Sequence, residues 1–163
     1  KVNLRHRLFN QTEYTAVISR ELIQRPEAAG VLIYDDAQKK FALIEQFRIG
    51  AMDDQDSAWQ LEIIAGVLDG DESPESCIRR EALEESGCQI EHLQHLFHLY
   101  SAAADLPKQG GVFGMPDEGE NILLHLIDYA QIDTLLSNGR LRNAPVIMAL
   151  QWLQQQIKTT RNV

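Results

Sequence analysis

Cysteine is scarce in this 163-residue chain: Cys77 and Cys88 are its only two, and no C-x-x-C pair occurs. That excludes a disulfide-stapled scaffold, and two thiols in a domain of this size fit a reducing, cytoplasmic setting better than a bridge. Positive charge is also in deficit. Lys and Arg total 15 against 24 Asp and Glu, a formal charge of -9, which argues against a chain that coats nucleic acid or an anionic membrane. A phosphate compound would have to be held locally, by a few arginines or by metal ions. No apolar run has the length of a membrane span, and no signal-peptide pattern is visible. The chain opens at Lys1 rather than Met, so the cytoplasmic setting is a default. What is present is 44% hydrophobic content, enough for one globular core with a small extra lobe.

Residues 1–29 alternate polar and apolar positions, and "EYTAVISRELI" is rich in strand formers, with Pro26 closing the region. "AAGVLIYDD" and "KKFALIEQFRI" read as a hairpin around Asp35–Lys40. "WQLEIIAGVLDGDE" reads as a strand running into a loop rich in Gly and Asp, and "CQIEHLQHLFHLY" and "NILLHLIDY" as further strands. "YAQIDTLLSNG" and "NAPVIMALQWLQQQIK" read as helices, the second amphipathic, with Trp152 and Leu153 placed for core or dimer packing. Strands and helices mix without a regular βαβ period. The fold class is α/β (α+β), a mixed sheet between helices.

The clearest helix spans about Pro74 to Ser86. Ser73 suits the N-cap, Pro74 the first helical position, Glu75 the first turn and Gly87 the stop. Cys77, Ile78, Ala82 and Leu83 are the expected buried stripe. Glu81, Glu84 and Glu85 stand at i, i+3 and i+4 on one face, next to Arg79 and Arg80. Like charges at that spacing repel. A charge run is ordinarily a solvated face, but a cation among these three would remove the repulsion, and an all-oxygen set suits Mg²⁺ or Mn²⁺ better than zinc. The loop before the helix carries Gly66 and Gly70, so backbone and helix start can both approach a ligand.

The stretch from Gly66 to Cys88 resembles the Nudix box, G-x5-E-x7-R-E-U-x-E-E-x-G-U with U a bulky apolar residue. Gly66, Glu72, Arg80-Glu81, Glu84-Glu85 and Gly87 fall on its fixed positions, with Ala82 and Cys88 small for U. The resemblance implies a Nudix hydrolase, with a mixed sheet sandwiched between helices, that cleaves the pyrophosphate of a nucleoside diphosphate linked to another group, with Mg²⁺ or Mn²⁺. By matched position it implies metal binding by Glu81, Glu84 and Glu85, with the backbone near Ala65 as a further ligand, and a structural ion pair between Glu72 and Arg80.

The similarity extends to "RHRLFN", "RELIQR", "LIEQFRIGA", "DEGENI" and "NAPVIMALQWL", and over most of the chain it is to the ADP-ribose pyrophosphatases. That implies hydrolysis of ADP-ribose to AMP and ribose 5-phosphate by a homodimer. Its N-terminal strand lobe, residues 1–29, exchanges between subunits around the Nudix domain, residues 30–163. Arg20, from the partner subunit, and Arg48 would contact substrate. In the acidic loop "PDEGEN", Glu118 would activate water, with Glu120 a metal contact or the alternative base. Two other readings stay open: a different nucleoside diphosphate sugar or dinucleotide as substrate, or a non-catalytic nucleotide-binding module. The intact carboxylate set disfavours the module.

The chain departs from these relatives after Ser101, running through three alanines to Asp105 where they carry a Ser-Pro-Gly segment and a further strand. About a dozen residues are absent. A true deletion is expected to strip a core strand and leave unpaired edges, so the expectation is that the segment is missing from the sequence rather than from the protein. His92, His95 and His98 recur every third residue. On a strand that spacing alternates faces and breaks a zinc cluster.

Overall fold

The computed structural model describes residues 1–9, 12–96, 100–115 and 120–160. Its centre is a hairpin of two strands, β3 (Ala28–Asp35) and β4 (Lys40–Phe47), joined in the register Asp35↔Lys40. The turn closes with Lys39 at φ 56 and with the buried carboxylate of Asp35. Asp35 accepts from the backbone N–H groups of Ala37, Gln38 and Leu106 and from the Gln38 side chain. Burial alone would raise the Asp35 pKa, yet these hydrogen bonds together hold it below the ordinary carboxylate value.

The hairpin strands diverge, and each takes a second partner on the same edge. β5 (Trp59–Glu62) pairs with the end of β4, and β6 (Ile64–Val67) with the start of β3. On the outer edges, β8 (Tyr100–Ala103) runs parallel to β3, and β10 (Ile122–Asp128) antiparallel to β4. β7 (His92–His95) and β9 (Val112–Phe113) complete the order β7-β8-β3-β4-β10-β9.

Period-two alternation decides which residues meet which helix. Val31, Ile33, Ala42 and Ile44 face helix α1 (Pro74–Ser86) and build one core with Cys77, Ile78 and Ala82. Leu32, Phe41 and Leu43 point the other way, into a second core with α2 (Ile132–Ser137) and α3 (Ala144–Thr160), through Ile132, Val146, Leu150 and Leu153. The sheet is therefore buried on both faces, which is why its central strands read as continuous apolar runs. Trp152 packs at the rim of the second core, its ring centroid 6.1 Å from that of Tyr34.

One expectation needs correcting. Leu83 is 52% exposed, and its place in the buried surface of α1 is taken by Glu85 and Ser86. The column Cys77–Glu81–Glu85 runs beside β6 and the column Ile78–Ala82–Ser86 enters the core, so position on the helix outweighs side-chain polarity. Where the sequence runs short after Ser101, β8 pairs on both sides. It meets β7 from His92↔Ala103 to His95↔Tyr100 and β3 from Val31↔Tyr100 onward.

At the N-terminus β1 (Val2–Leu4) and β2 (Ile18–Arg20) form their own two-stranded sheet. Val17, Leu22 and Ile23 are solvent-exposed there. Among the described residues no helix is long and apolar enough to cross a membrane. Cys77 and Cys88 are free and buried.

Candidate active site

Helix α1 is pinned at both ends. Ser73 Oγ accepts from the backbone N–H of Ser76 at 3.1 Å, and Pro74 opens the first turn. Gly87 caps the other end at φ 69, its N–H donating to Leu83 and the following Cys88 N–H to Ala82. A left-handed residue at this position favours glycine. A Cβ here would also meet Phe113 Cε1 at 3.0 Å. Backbone of the loop after β9 docks on the helix end, with Gly114 N–H donating to the Glu84 carbonyl at 3.1 Å.

These constraints aim the acidic face into a cleft of about 340 Å³. Its walls are β6 (Ala65 to Val67), the end of β4 (Gln46) with Arg48, and α1 (Arg80, Glu81, Glu84 and Glu85), with Met115 and Glu120 across the opening. Gln46 and Arg48 arrive by the same alternation that sends Ala42 and Ile44 to this face of the sheet. A larger cavity, about 580 Å³, lies among Tyr34, Tyr129 and Trp152 on the α3 side. Its Asp36 is already engaged by Lys39 and the Tyr129 hydroxyl, so the cleft holds the better chemistry.

Gly66 makes the carboxylates fit. A Cβ there would stand 1.7 Å from Glu81 Oε1 and 2.0 Å from its Cδ, so the Glu81 side chain lies across the bare backbone of β6. Glu85 is 3% exposed, and its one hydrogen-bond donor among the described residues is the Ala65 N–H, 3.2 Å from Oε2. Burial, and next the nearby Glu81 charge, push the Glu85 carboxyl up to about 8. Burial likewise raises Glu81. A buried carboxylate with spare lone pairs, a second one turn away at Glu81, a third next to it at Glu84 and a backbone cradle suit a hard divalent cation.

Arg80 organises the same face. Its Nε and Nη2 grip Glu72 at 3.2 and 2.9 Å, its Nη2 also reaches the Val67 carbonyl at 3.2 Å, and its Nη1 contacts Glu81 at 2.7 Å and Glu84 at 3.2 Å. The guanidinium holds Glu72 below the ordinary carboxylate pKa. Among the described residues no three His, Cys, Asp or Glu side chains already converge as a finished donor set. On α1 the guanidinium stands between Glu81 and Glu84 instead. His92 and His95 are exposed on β7, and His98 lies outside the described residues.

Arg48 faces the carboxylates from the sheet, its fork donating to Glu62 at 3.1 and 2.7 Å. Glu62 first raises its pKa, with Glu85 and Glu120 adding to the effect. Glu120 closes its own loop, Oε2 accepting from the Met115 N–H at 2.9 Å. Glu118 lies outside the described residues. One sequence reading changes. Arg79 turns away to the Ile90 carbonyl, leaving Arg80 as the cation beside the carboxylates. Arg20 is exposed at the end of β2, donates to the Ser19 carbonyl, and is not among the residues around the cleft. Glu62 was missed, although its place one strand over from Ile44 in the register Ile44↔Glu62 puts it on the Arg48 side of the sheet.

The model of the NUDIX domain matches residues 24–155. The chain belongs to the NUDIX family. An ADP-ribose pyrophosphatase of Escherichia coli K12 is 32% identical, over 97% of this chain and 81% of the relative. A GDP-mannose pyrophosphatase of Yersinia pestis is 34% identical over 83% of this chain and 74% of the relative. A crystal structure of an ADP compounds hydrolase superposes with a TM-score of 0.59 at 20% identity, covering 85% of this chain and 78% of that one. The E. coli pairing spans 171 positions, of which this chain fills about 158. The relative therefore has about a dozen residues with no counterpart in this sequence.

Proposed function

We propose that the protein is a divalent-metal-dependent Nudix pyrophosphatase that hydrolyses ADP-ribose to AMP and ribose 5-phosphate. The observation that carries the reading is the buried Glu85, backed by Glu81 and Glu84 and faced by Arg48 across one cleft. Relatives named for ADP-ribose that align over nearly the whole chain support the substrate. Mg²⁺ or Mn²⁺ held by Glu81, Glu84 and Glu85 would stabilise charge on the pyrophosphate oxygens and lower the pKa of a bound water. The chain's own residues do the rest. Gly66 and Ala65 admit and orient the carboxylates, the Glu72–Arg80 pair fixes the helix, and Arg48, itself oriented by Glu62, supplies a planar donor to a phosphate oxygen. Glu120 sits at the mouth of the cleft, and Glu118 in the same acidic loop shares the candidacy for the base that takes the proton of water. GDP-mannose is the second substrate to test, because relatives named for it align at similar identity.

A homodimer is part of this reading, with residues 1–29 as the exchanged lobe and 30–163 as the Nudix domain. Two exposed apolar surfaces support it. Val17, Leu22 and Ile23 lie in the N-terminal segment, while Phe47, Trp59, Leu123 and Val112 lie in neighbouring strands β4, β5, β10 and β9. Scattered apolar residues are ordinary, but aligned ones mark an interface. Arg20 lies within that segment and would reach the partner's cleft. Two unbridged thiols accord with a cytoplasmic setting. The direct test is incubation with ADP-ribose or GDP-mannose and Mg²⁺, with chromatography of the products. Absence of AMP from ADP-ribose refutes the substrate.

A further inference from the structure

Arg80 has two chemically different edges, and only one of them is explained by holding the helix in place. The Nε/Nη2 edge makes a two-point bond to Glu72, whose Oε2 also accepts from the Asp69 N–H. The Nη1 edge makes one contact each to Glu81 and Glu84, the carboxylates aimed into the cleft. We propose that this Nη1 edge is a stand-in cation, holding Glu81 and Glu84 until a divalent ion takes them while the other edge stays on Glu72. The inference rests on the metal-dependent reading above.

The geometry favours release at one edge only. A fork of two parallel hydrogen bonds is held more firmly than two single contacts to separate groups. The Nη2 anchor to the Val67 carbonyl ties the same guanidinium to β6. Loss of the Nη1 contacts therefore leaves the arginine in place and both carboxylates with free oxygens. Without some cation, Glu81, Glu84 and Glu85 on one helical face would repel. With Arg80 there, α1 can fold before any metal arrives. The cost is competition, because the arginine and the metal want the same oxygens. Glu81 and Glu84 keep 13% and 29% side-chain exposure, so an ion from solvent can reach them.

Two measurements on the full chain test this. In ¹⁵N-arginine NMR, titration with Mg²⁺ is expected to shift the Arg80 Nη1 resonances and speed their exchange, with Nε nearly unmoved. Both edges unmoved at Mg²⁺ saturation overturns the proposal. In calorimetric titration, Arg80→Gln is expected to bind Mn²⁺ about tenfold more tightly than wild type, about 1.4 kcal/mol. Glu72→Gln, which frees the guanidinium to stay with Glu81 and Glu84, is expected to bind severalfold more weakly. An arginine that only props the helix predicts weaker binding for both variants, and that result overturns the proposal. Where Arg80→Gln fails to fold, Arg80→Lys serves instead. Its single ammonium cannot span both edges, so tighter binding supports the proposal and weaker binding overturns it. Neither readout uses hydrolysis. Wild type binding no Mn²⁺ sinks the metal-dependent reading itself, whereas wild type binding Mn²⁺ more tightly than Arg80→Gln sinks only the stand-in.

Discussion

Gly66→Ala separates folding from function more cleanly than any carboxylate substitution. The added methyl would lie 1.7 Å from Glu81 Oε1, 2.0 Å from Cδ and 2.4 Å from Cγ. No arrangement keeps both groups where they are. The methyl is fixed by the backbone of β6 and the carboxylate is the end of a flexible side chain, so Glu81 must swing out of the cleft. Two terms set the stability cost. Glu81 loses its contact with Arg80, a charge-assisted bond of the kind that contributes about 1.5–3 kcal/mol. Alanine restricts the unfolded chain, returning about 0.4–1 kcal/mol where the backbone accepts it. The net is a loss of roughly 1–2 kcal/mol, or about 2–8 °C in Tm for a domain of this size.

Metal binding should fall much further. Even a partner one step removed from a metal costs about 10–100-fold in affinity when mutated, and here a proposed ligand itself leaves. Mn²⁺ affinity of Gly66→Ala is expected to drop by at least that range, and hydrolysis with it, in a protein that still unfolds cooperatively. Gly50→Ala is the control, because nothing lies within 4 Å of its added methyl. A Gly66→Ala protein that binds Mn²⁺ within twofold of wild type refutes the placement of Glu81 as a ligand. One that loses 15 °C or fails to fold refutes the claim that Glu81 alone gives way.

Other perturbations probe separate parts of the argument. With metal chelated, the folded Glu85 pKa of about 8 lies above its ordinary 4.5. The fold favours the neutral acid, so stability from this group falls as pH rises from about 4.5 to 8, by at most about 5 kcal/mol. Urea melts of Glu85→Gln should lose that part of the slope, and an unchanged slope refutes the buried-acid assignment. Arg48→Ala is expected to lower kcat/KM at least tenfold with Tm nearly constant, and Glu62→Gln to lower it less, because the guanidinium remains but loses its fork. Asp35→Ala removes the acceptor for four hydrogen bonds at the β3–β4 turn and should cost about 2–4 kcal/mol in thermal melts, with Mn²⁺ affinity unchanged. Deleting residues 1–23 should turn a dimer into a monomer in sedimentation, and a truncated chain that stays dimeric refutes the exchanged lobe.

Much of the fold is written in local patterns. The hairpin at Asp35–Lys40 and the bounds of α1 follow from turn, cap and stop residues whose effects act within a few positions. Leu83 shows where such reasoning ends. By composition it belongs in the core, and by helical phase it belongs outside. The column 77–81–85 lines β6 because that is where the helix lands on the sheet, a fact of tertiary packing that no window of sequence contains. The same holds for β8. It is bonded to β7 on one side and to β3 on the other, partners that its own residues do not announce.

The candidate site divides along the same line. Glu81, Glu84 and Glu85 could be chosen from spacing alone, since i, i+3 and i+4 must share a face. Their unequal burial could not be. Glu85 is almost wholly enclosed, and its burial raises its pKa to about 8, while Glu84 keeps 29% of its side chain exposed. Glu62 was invisible because its role depends on a cross-strand neighbour. Arg79 and Arg80 looked equivalent until a single residue step along the helix, a rotation of about 100°, sent Arg79 to the Ile90 carbonyl and Arg80 into the cleft. Sequence spacing therefore names the groups that can act together, and the bare backbone of Gly66 under Glu81 shows how they fit into one cleft.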